Sequence, residues 1–99
     1  MLCVLSARRL KPGAFEQFRR AWESPDDYPP GFQRAFHVRN VRDEDEIVSF
    51  GLFDTSLEEL RAWRAEHEQD ELARQDRMAS FVENLHVEGM YEVIEVVEP

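Results

Sequence analysis

Apolar and polar positions along the chain follow two periods, and the changes of period predict the order of its elements. Residues 2–7 form a short run that is apolar in both alternating sets, which is typical of a strand covered on both faces. Phe15, Phe18 and Trp22 then recur with helical spacing. A first helix is therefore predicted, ending before residues 25–31, where three prolines and a glycine indicate a loop.

The middle of the chain predicts a hairpin followed by the start of a helix. Residues 32–41 and 47–53 each alternate apolar and polar side chains, as strands do. The charged residues 42–45 between them lack apolar groups, which suits the tip of an antiparallel hairpin. Thr55 and Ser56 are each followed three residues later by a glutamate, a capping-box pattern that marks a helix start.

The second helical region is predicted to be interrupted. Its apolar face begins at Leu57 and lapses at residues 66–71, where a continuous helix would need apolar groups and the sequence has charges. The helix is expected to break or bend there and then resume. Residues 86–89 are predicted to form a connection, and residues 90–97 the last strand, with apolar side chains on both faces.

The resulting order, β-α-β-β-α-β, predicts a ferredoxin-like α+β fold in a single domain spanning residues 1–99. It contains a four-stranded antiparallel sheet with the helices on one face, so the other face lacks a cover. The apolar residues expected on that open face include Leu2, Val4, Ile47, Ile94 and Val96. Because a monomer rarely exposes so large an apolar area, a homodimer in which two sheet faces pack together is predicted.

Charge and composition narrow the range of partners. The formal net charge is −9, and residues 51–99 hold thirteen acidic groups against four basic ones. Nucleic acids and anionic membranes bind mainly through Lys and Arg, so neither is an expected partner. The single Cys3 indicates a reducing compartment, and the sequence lacks both a run of about 20 apolar residues and a signal peptide. A cytoplasmic protein is expected.

Two sequence patterns resemble a known family. The first is Phe15-x-x-Phe18-x-x-x-Trp22 on the predicted first helix; the second runs from Phe50 to His67, where a strand ends, a capped helix follows, and a Trp precedes a His by one turn. With the element order, they resemble the antibiotic biosynthesis monooxygenase family of dimeric α+β barrels. The resemblance implies a pocket between sheet and helices, and a monooxygenase acting on a small aromatic phenol or quinol without a metal or organic cofactor.

Three residues are candidates for catalysis in such a pocket. His37, on a predicted strand face, must find a hydrogen-bond partner or face a cavity, and it could serve as a base near neutral pH. His67 is a second candidate base, and Arg39 a candidate anion stabiliser. Structural roles compete with these: His37 could be satisfied within the sheet or at a dimer interface, and His67 could be exposed among its charged neighbours.

Aromatic and amide side chains are candidates for the pocket walls. The predicted lining residues are Trp63, Phe36, Phe50, Asn40 and Trp22. Trp63 could equally be a core or interface anchor, and Asn40 could support the hairpin turn. His67 and Glu71 stand four residues apart, but a zinc site usually needs three or four ligands held by the fold, so no metal site is predicted.

A second function stays open at this point: a non-catalytic dimeric α+β barrel that binds a small apolar ligand or serves as an accessory interaction module. This alternative predicts a pocket filled by Phe36, Phe50 and Trp63, with no ionisable group pointing inward. The oxygenase instead requires an ionisable side chain in a cavity of about 300 Å³ or more.

Overall fold

The computed structural model describes residues 1–23 and 28–99. Within them the elements are β1 (Leu2–Leu10), α1 (Phe15–Trp22), β2 (Phe32–Asn40), β3 (Asp43–Phe53), α2 (Leu57–Glu66), α3 (Glu68–Ala79) and β4 (Val82–Glu92). The strands form an antiparallel sheet in the order β2-β3-β1-β4. This order confirms the predicted ferredoxin-like α+β fold. The first residues of the predicted loop 25–31 lie outside the described residues.

Buried apolar side chains of the described residues form two clusters on one face of the sheet. In the first, Phe18 and Ala21 of α1 and Met78 of α3 pack on Leu10 and Ile47. The second cluster joins Leu60 of α2 to Leu2 and Phe53 at the other end of the same strands. Both clusters join helix residues to one alternating set of sheet residues, so we call this face the inner face.

The break in the second helical region is confirmed, and local chemistry explains both of its ends. Ser56 caps α2, its hydroxyl accepting a hydrogen bond from the Glu59 amide at 3.1 Å. His67 separates α2 from α3 with φ −110° and ψ 22°, outside helical geometry. The charged run 66–71 cannot supply a continuous buried stripe, so the chain turns there and α3 can lie over a different part of the sheet.

The last strand was placed wrongly by the sequence pattern. Residues 86–89 do not form a connection, because β4 already begins at Val82 and ends at Glu92. Two features of β4 explain why the pattern of apolar and polar residues does not predict its bounds. It is an edge strand with polar side chains open to water, and its register against β1 shifts after Ala7 and again after Arg9, which interrupts the alternation of apolar and polar positions.

Among the described residues the helices pack on one face of the sheet only, as predicted. The apolar residues predicted for the other face were wrong. Leu2 and Ile47 are buried under the helices, and Ile94 and Val96 lie beyond the end of β4. The outer face instead carries the other alternating set, which includes Leu5, Ala7, Phe36, Val38, Val48 and Phe50. Residues 2–7 are apolar in both sets, so the sequence pattern had no means of choosing between the two faces.

The turn of the hairpin between β2 and β3 overlaps the charged run 42–45 by one residue, because it begins one residue before that run. Its turn residues are Val41 and Arg42, and β3 already begins at Asp43. Asn40 supports the turn: its side-chain oxygen accepts a hydrogen bond from the Arg42 amide at 2.8 Å. Asp43 forms an ion pair with Arg9 of β1, which ties part of the charged run into the sheet.

Gly31 and Gly13 offer a matched test of one close approach in this fold. Both have positive φ, 75° and 71° respectively. A Cβ at Gly31 would overlap the carbonyl oxygen of Asp54, whereas a Cβ at Gly13 would meet nothing within 4 Å. Replacement of either by alanine should cost about 1–2 kcal/mol of backbone strain, and Gly31→Ala should cost more because of the overlap. Urea unfolding of both variants checks this; equal losses would contradict it.

Candidate functional site

A pocket of about 310 Å³ lies on the inner face of the sheet. Its floor is formed by β1, β3 and β4, and its walls by Trp22 of α1, Tyr28 and Pro29 before β2, and side chains of α2 and α3. The volume is at the lower end of the range for small-molecule sites, which is about 300–1,000 Å³. Five side chains that line it are charged, namely Arg8, Arg64, Glu71, Arg74 and Glu88.

A row of polar side chains crosses the sheet at one end of this pocket. His37 of β2 pairs with Ser49 of β3, Ser49 with Ser6 of β1, and Ser6 with Glu88 of β4. Ser6 and Ser49 are both buried although they are polar. Because directly paired residues project to the same side of a sheet, the row places two hydroxyls, an imidazole and a carboxylate on the inner face.

His37 stands behind the pocket, within an aromatic enclosure. Its Nδ1 lies 2.7 Å from Oγ of Ser49. Its ring meets the rings of Trp22, Phe15 and Phe18 edge-on, with centroid distances of 4.6, 5.9 and 6.0 Å. Burial lowers the pKa of His37 below its ordinary 6.5, and the positive charges of Arg19, Arg8 and Arg74 lower it further. The imidazole is therefore neutral at physiological pH and able to accept a proton.

Arg8 is a buried cation on the pocket floor, with 5 % of its surface exposed. Its Nη1 donates a hydrogen bond to the hydroxyl of Ser6, and its guanidinium lies 5.4 Å from the centre of the Phe18 ring. Burial lowers the pKa of Arg8 and the charge of Arg74 adds to this, whereas Glu88 and Glu71 act in the opposite sense. Arginine nevertheless stays protonated, so Arg8 places a permanent positive charge at the polar end of the pocket.

Arg74 of α3 links the helices on the side of the pocket opposite the sheet, which we call the roof. Its Nε donates to the backbone oxygen of Trp22 at 2.6 Å, and its Nη1 donates to Glu71 at 2.8 Å. The guanidinium also lies 5.1 Å from the centre of the Trp22 ring. Gln75 donates to the same Glu71 oxygen at 2.8 Å. These contacts join α1 to α3 across the pocket and fix the Trp22 wall.

The opposite end of the pocket is apolar. The next pairs along the sheet bring Val4 beside Gly51 and Met90, and the pair after that brings Leu2 beside Phe53. Val4, Phe32 and Met90 pack against the second core cluster and also line the pocket. Tyr28 stacks on Phe32 with a centroid distance of 4.4 Å. A ligand in the pocket would therefore meet polar groups at one end and flat apolar surface at the other.

Of the predicted site residues, Trp22 lines the pocket, and His37 stands behind it, outside the described lining, with the two ring centroids 4.6 Å apart. Arg39 lies one inner-face position further along β2, with its guanidinium 5.1 Å from the centre of the Phe15 ring. His67 lies at the junction of α2 and α3, stacked on Trp63 at 4.0 Å, and its Nδ1 is 2.8 Å from the Trp63 backbone oxygen. Those two residues form a unit outside the described pocket lining.

The remaining predicted wall residues lie elsewhere. Phe36 and Phe50 are a cross-strand pair on the outer face, stacked with their centroids 4.9 Å apart. Asn40 is bound in the hairpin turn. The prediction placed Phe36 and Phe50 on the wrong side of the sheet because both alternating sets of β3 contain aromatic residues, and register against the neighbouring strands decides which set faces the helices.

Sequence reasoning missed Arg8, Ser6, Ser49 and the side chains contributed by α3. Ser6 and Arg8 stand two residues apart, so they share a face of β1 with Leu2, Val4 and Leu10. A polar pair in an otherwise apolar alternating set was the available signal, because buried polar groups need partners. The described residues include no group of three or more His, Cys, Asp or Glu side chains gathered as metal ligands would be.

Proteins of known structure share the fold of this chain. No family model and no curated protein matches the sequence. Solved structures do match: a protein from Nitrosomonas europaea assigned as an antibiotic biosynthesis monooxygenase has a TM-score of 0.68 and 16% identity over 96% of this chain and 100% of that one. SnoaB, a cofactor-independent oxygenase from Streptomyces nogalater, has a TM-score of 0.68 and 12% identity over 99% of this chain and 97% of that one.

The chain has the fold of the antibiotic biosynthesis monooxygenases. The same fold occurs in an uncharacterised NIPSNAP domain protein from Burkholderia xenovorans, with a TM-score of 0.60 and 12% identity over the full length of both chains. At these identities the likeness establishes the architecture alone, because one fold can host many different chemistries. Among the helices described, none is long and apolar enough to cross a membrane.

The environment of His37 predicts how stability changes with pH. Because the folded chain lowers the pKa of His37, the unfolded chain binds more protons once the pH falls below about 6.5. The contribution of His37 to the free energy of unfolding should therefore be greatest above that pH and decrease as the pH falls through the lowered pKa. NMR titration of the imidazole should give a pKa below 6.5, and His37→Gln should remove this part of the pH dependence.

Proposed function

We propose that this chain is a cofactor-independent oxygenase of the antibiotic biosynthesis monooxygenase type, and that its substrate is a small aromatic phenol or quinol. The observation that carries the proposal is the pair formed by His37 and Ser49. A histidine with a lowered pKa is hydrogen-bonded, at 2.7 Å, to a hydroxyl that lines a pocket of about 310 Å³. The shared fold with SnoaB supports the same reaction class.

The first step is removal of the phenolic proton. A substrate hydroxyl at the polar end of the pocket would donate its proton to Oγ of Ser49 as Ser49 passes its own proton to Nδ1 of neutral His37. Arg8 provides positive charge beside the phenolate oxygen that forms, and Arg74 adds to the local potential. The aromatic rings around His37 contribute to its partial burial, which lowers its pKa and maintains its neutral form before the transfer.

The phenolate is then the reductant for O₂. Its negative charge is delocalised onto ring carbons, and one of these supplies electrons to oxygen and forms the new C–O bond. A phenol and one O₂ give a quinone and one water, so the substrate provides all four electrons and both hydrogens of that water. This balance requires no further reductant. The protein supplies an apolar pocket, a base and a stabilised anion.

Oxygen uptake tests the proposal directly. The purified protein is incubated with a panel of phenols and hydroquinones of one to three rings under ¹⁸O₂, and oxygen consumption and product mass are recorded. We expect uptake above the uncatalysed rate for at least one compound, with one ¹⁸O atom in the product. Uptake that equals the buffer rate across the panel would overturn the oxygenase proposal and favour the alternative of a non-catalytic binding protein.

We also propose that two copies pair through the outer faces of their sheets. The outer face carries apolar residues on every strand, and Phe36, Val38 and Val87 each leave about two fifths of their surface exposed, at 39 %, 43 % and 42 %. A contiguous apolar surface of this kind marks an interaction site. A second copy presents the same self-complementary surface, as a two-fold interface requires.

Light scattering measures the mass of this assembly. The unchanged chain should have twice the mass of one chain at micromolar concentration. Val38→Glu places a charge in the outer face and should shift the population toward monomer, whereas Leu72→Glu on the exposed surface of α3 should leave the mass unchanged. A monomeric unchanged chain would contradict the pairing.

A further inference from the structure

The polar end of the pocket contains a buried cation, Arg8, whose charge is not neutralised by an ion pair within the described residues. Arg8 has 5 % of its surface exposed, and among residues 1–23 and 28–99 no carboxylate oxygen lies within 4 Å of its guanidinium. Its neighbours in the fold differ: Arg9 is paired with Asp43, and Arg74 with Glu71. A buried cation without a paired anion is costly, so Arg8 is available to an anion that enters the pocket.

The hydrogen-bond donors around Arg8 point to the same conclusion. A guanidinium carries five N–H donors, and within the described residues one hydrogen bond from Arg8 to a side chain is formed, to the hydroxyl of Ser6. Ser6 and Ser49 are paired across β1 and β3, and both are buried and line the pocket. A planar guanidinium fork beside two hydroxyl groups matches the two oxygens of a carboxylate.

We propose that the pocket binds an aromatic carboxylate, with the carboxylate on Arg8 and Ser6 and the ring between Trp22, Phe32 and Met90. The walls suit an aromatic ring, because Val4, Phe32 and Met90 are apolar and Tyr28 stacks on Phe32 with a centroid distance of 4.4 Å. At about 310 Å³ the pocket accommodates a ligand of one or two rings. That an aromatic carboxylate is the substrate rests on the proposed oxygenase function. That the pocket binds an aromatic carboxylate does not depend on that function.

The acidic residues of the pocket set the charge of this ligand. Glu88 ends the polar row on β4, and Glu71 lies in the roof, where it is already bound to Arg74 and Gln75. Both line the pocket and both act on Arg8 electrostatically. Glu88 and Glu71 would repel any anion placed on Arg8, and this repulsion is about twice as large for a doubly charged group as for a singly charged one. A carboxylate is therefore favoured over a doubly charged phosphate.

The experiment compares a carboxylate with its neutral isostere. Binding of 2-naphthoate and of 2-naphthamide is measured by isothermal titration calorimetry at pH 7.5, and 2-naphthyl phosphate serves as the dianion with the same ring system. We expect 2-naphthoate to bind at least tenfold more tightly than the amide and than the phosphate. Arg8→Met should remove this preference. Arg9→Met, which removes the neighbouring cation on the opposite face of β1, should leave it within twofold.

Several results would overturn the inference. They are equal binding of the acid and the amide by the unchanged chain, tighter binding of the phosphate, no binding of 2-naphthoate up to millimolar concentration, and equal losses in the two variants. The acid–amide comparison needs no variant, so it decides even if Arg8→Met does not fold. None of these ligands has a phenolic hydroxyl, so none can be turned over. Failure here and failure of oxygen uptake are therefore separate results.

Discussion

Replacement of His37 by glutamine is expected to reduce oxygen uptake by about 100- to 10,000-fold, the usual contribution of a positioned general base. Glutamine keeps a polar amide near Ser49, whose Oγ lies 2.7 Å from Nδ1 of His37, but it cannot accept a proton at neutral pH. The loss should therefore appear mainly in kcat, because the apolar walls that bind the ring are unchanged.

The matched control is His86→Gln, the same substitution at an exposed position of β4. It should leave kcat within about twofold of the unchanged chain, which is well below the effect of losing a base. The pH profile gives a second reading. With His37 present, kcat should be constant down to pH 6.5 and fall as the pH approaches its lowered pKa. Equal activity of the His37→Gln and His86→Gln variants would contradict the role of His37 as the base.

Phe18→Ala is expected to lower the free energy of unfolding by about 3–5 kcal/mol, the cost of truncating a fully buried aromatic residue. Phe18 has no exposed surface and packs with Leu10, Ile47 and Met78 in the larger core cluster. A domain of this size has a total stability of about 5–15 kcal/mol, so the loss removes a large part of it. The same ring also meets His37, so its removal should loosen the enclosure of the imidazole.

Urea unfolding followed by circular dichroism measures this loss. Leu72→Ala is the control, because Leu72 is exposed on α3 and its truncation should change stability by no more than about 0.5 kcal/mol. All chains have to be compared at one concentration, since self-association adds to apparent stability. A loss for Phe18→Ala no larger than for Leu72→Ala would show that the cluster does not stabilise the fold as described.

The parts of the fold that were predicted correctly are those fixed by local chemistry. The spacing of Phe15, Phe18 and Trp22 is sufficient for α1, because helical periodicity is read within a single segment. Ser56 and Glu59 mark the start of α2 within one turn, and the charged run 66–71 marks the break before α3. Each of these signals lies within a few residues of the feature that it predicts.

The parts that were predicted wrongly depend on partners distant in sequence. The extent of β4 is set by its pairing with β1, and two shifts in that register disrupt the alternation on which a strand prediction relies. The assignment of faces failed for the same reason, since Phe36 and Phe50 face outward only because of how β2 and β3 are paired.

The candidate site divides in the same way. His37 was proposed because a histidine in an alternating strand pattern needs an explanation, and Trp22 because it belongs to the helical stripe. The structure places their rings in contact. Arg74 was missed because its role depends on the backbone oxygen of Trp22, 52 residues earlier in the chain. Arg8 was missed because adjacent arginines at positions 8 and 9 look alike in sequence, although one is buried in the pocket and the other is paired with Asp43 at the surface.

The alternation of side chains along β1 limits how well this protein can tolerate the deletion of a residue. Its alternate residues serve two purposes, with Val4, Ser6 and Arg8 on the pocket floor and Leu5 and Ala7 on the outer face. Deletion of one residue from this strand would exchange the two sets, placing an arginine and a serine on the apolar outer face and alanine and leucine in the pocket. Single substitutions in β1 can each affect one face, whereas a one-residue deletion would disrupt both at once.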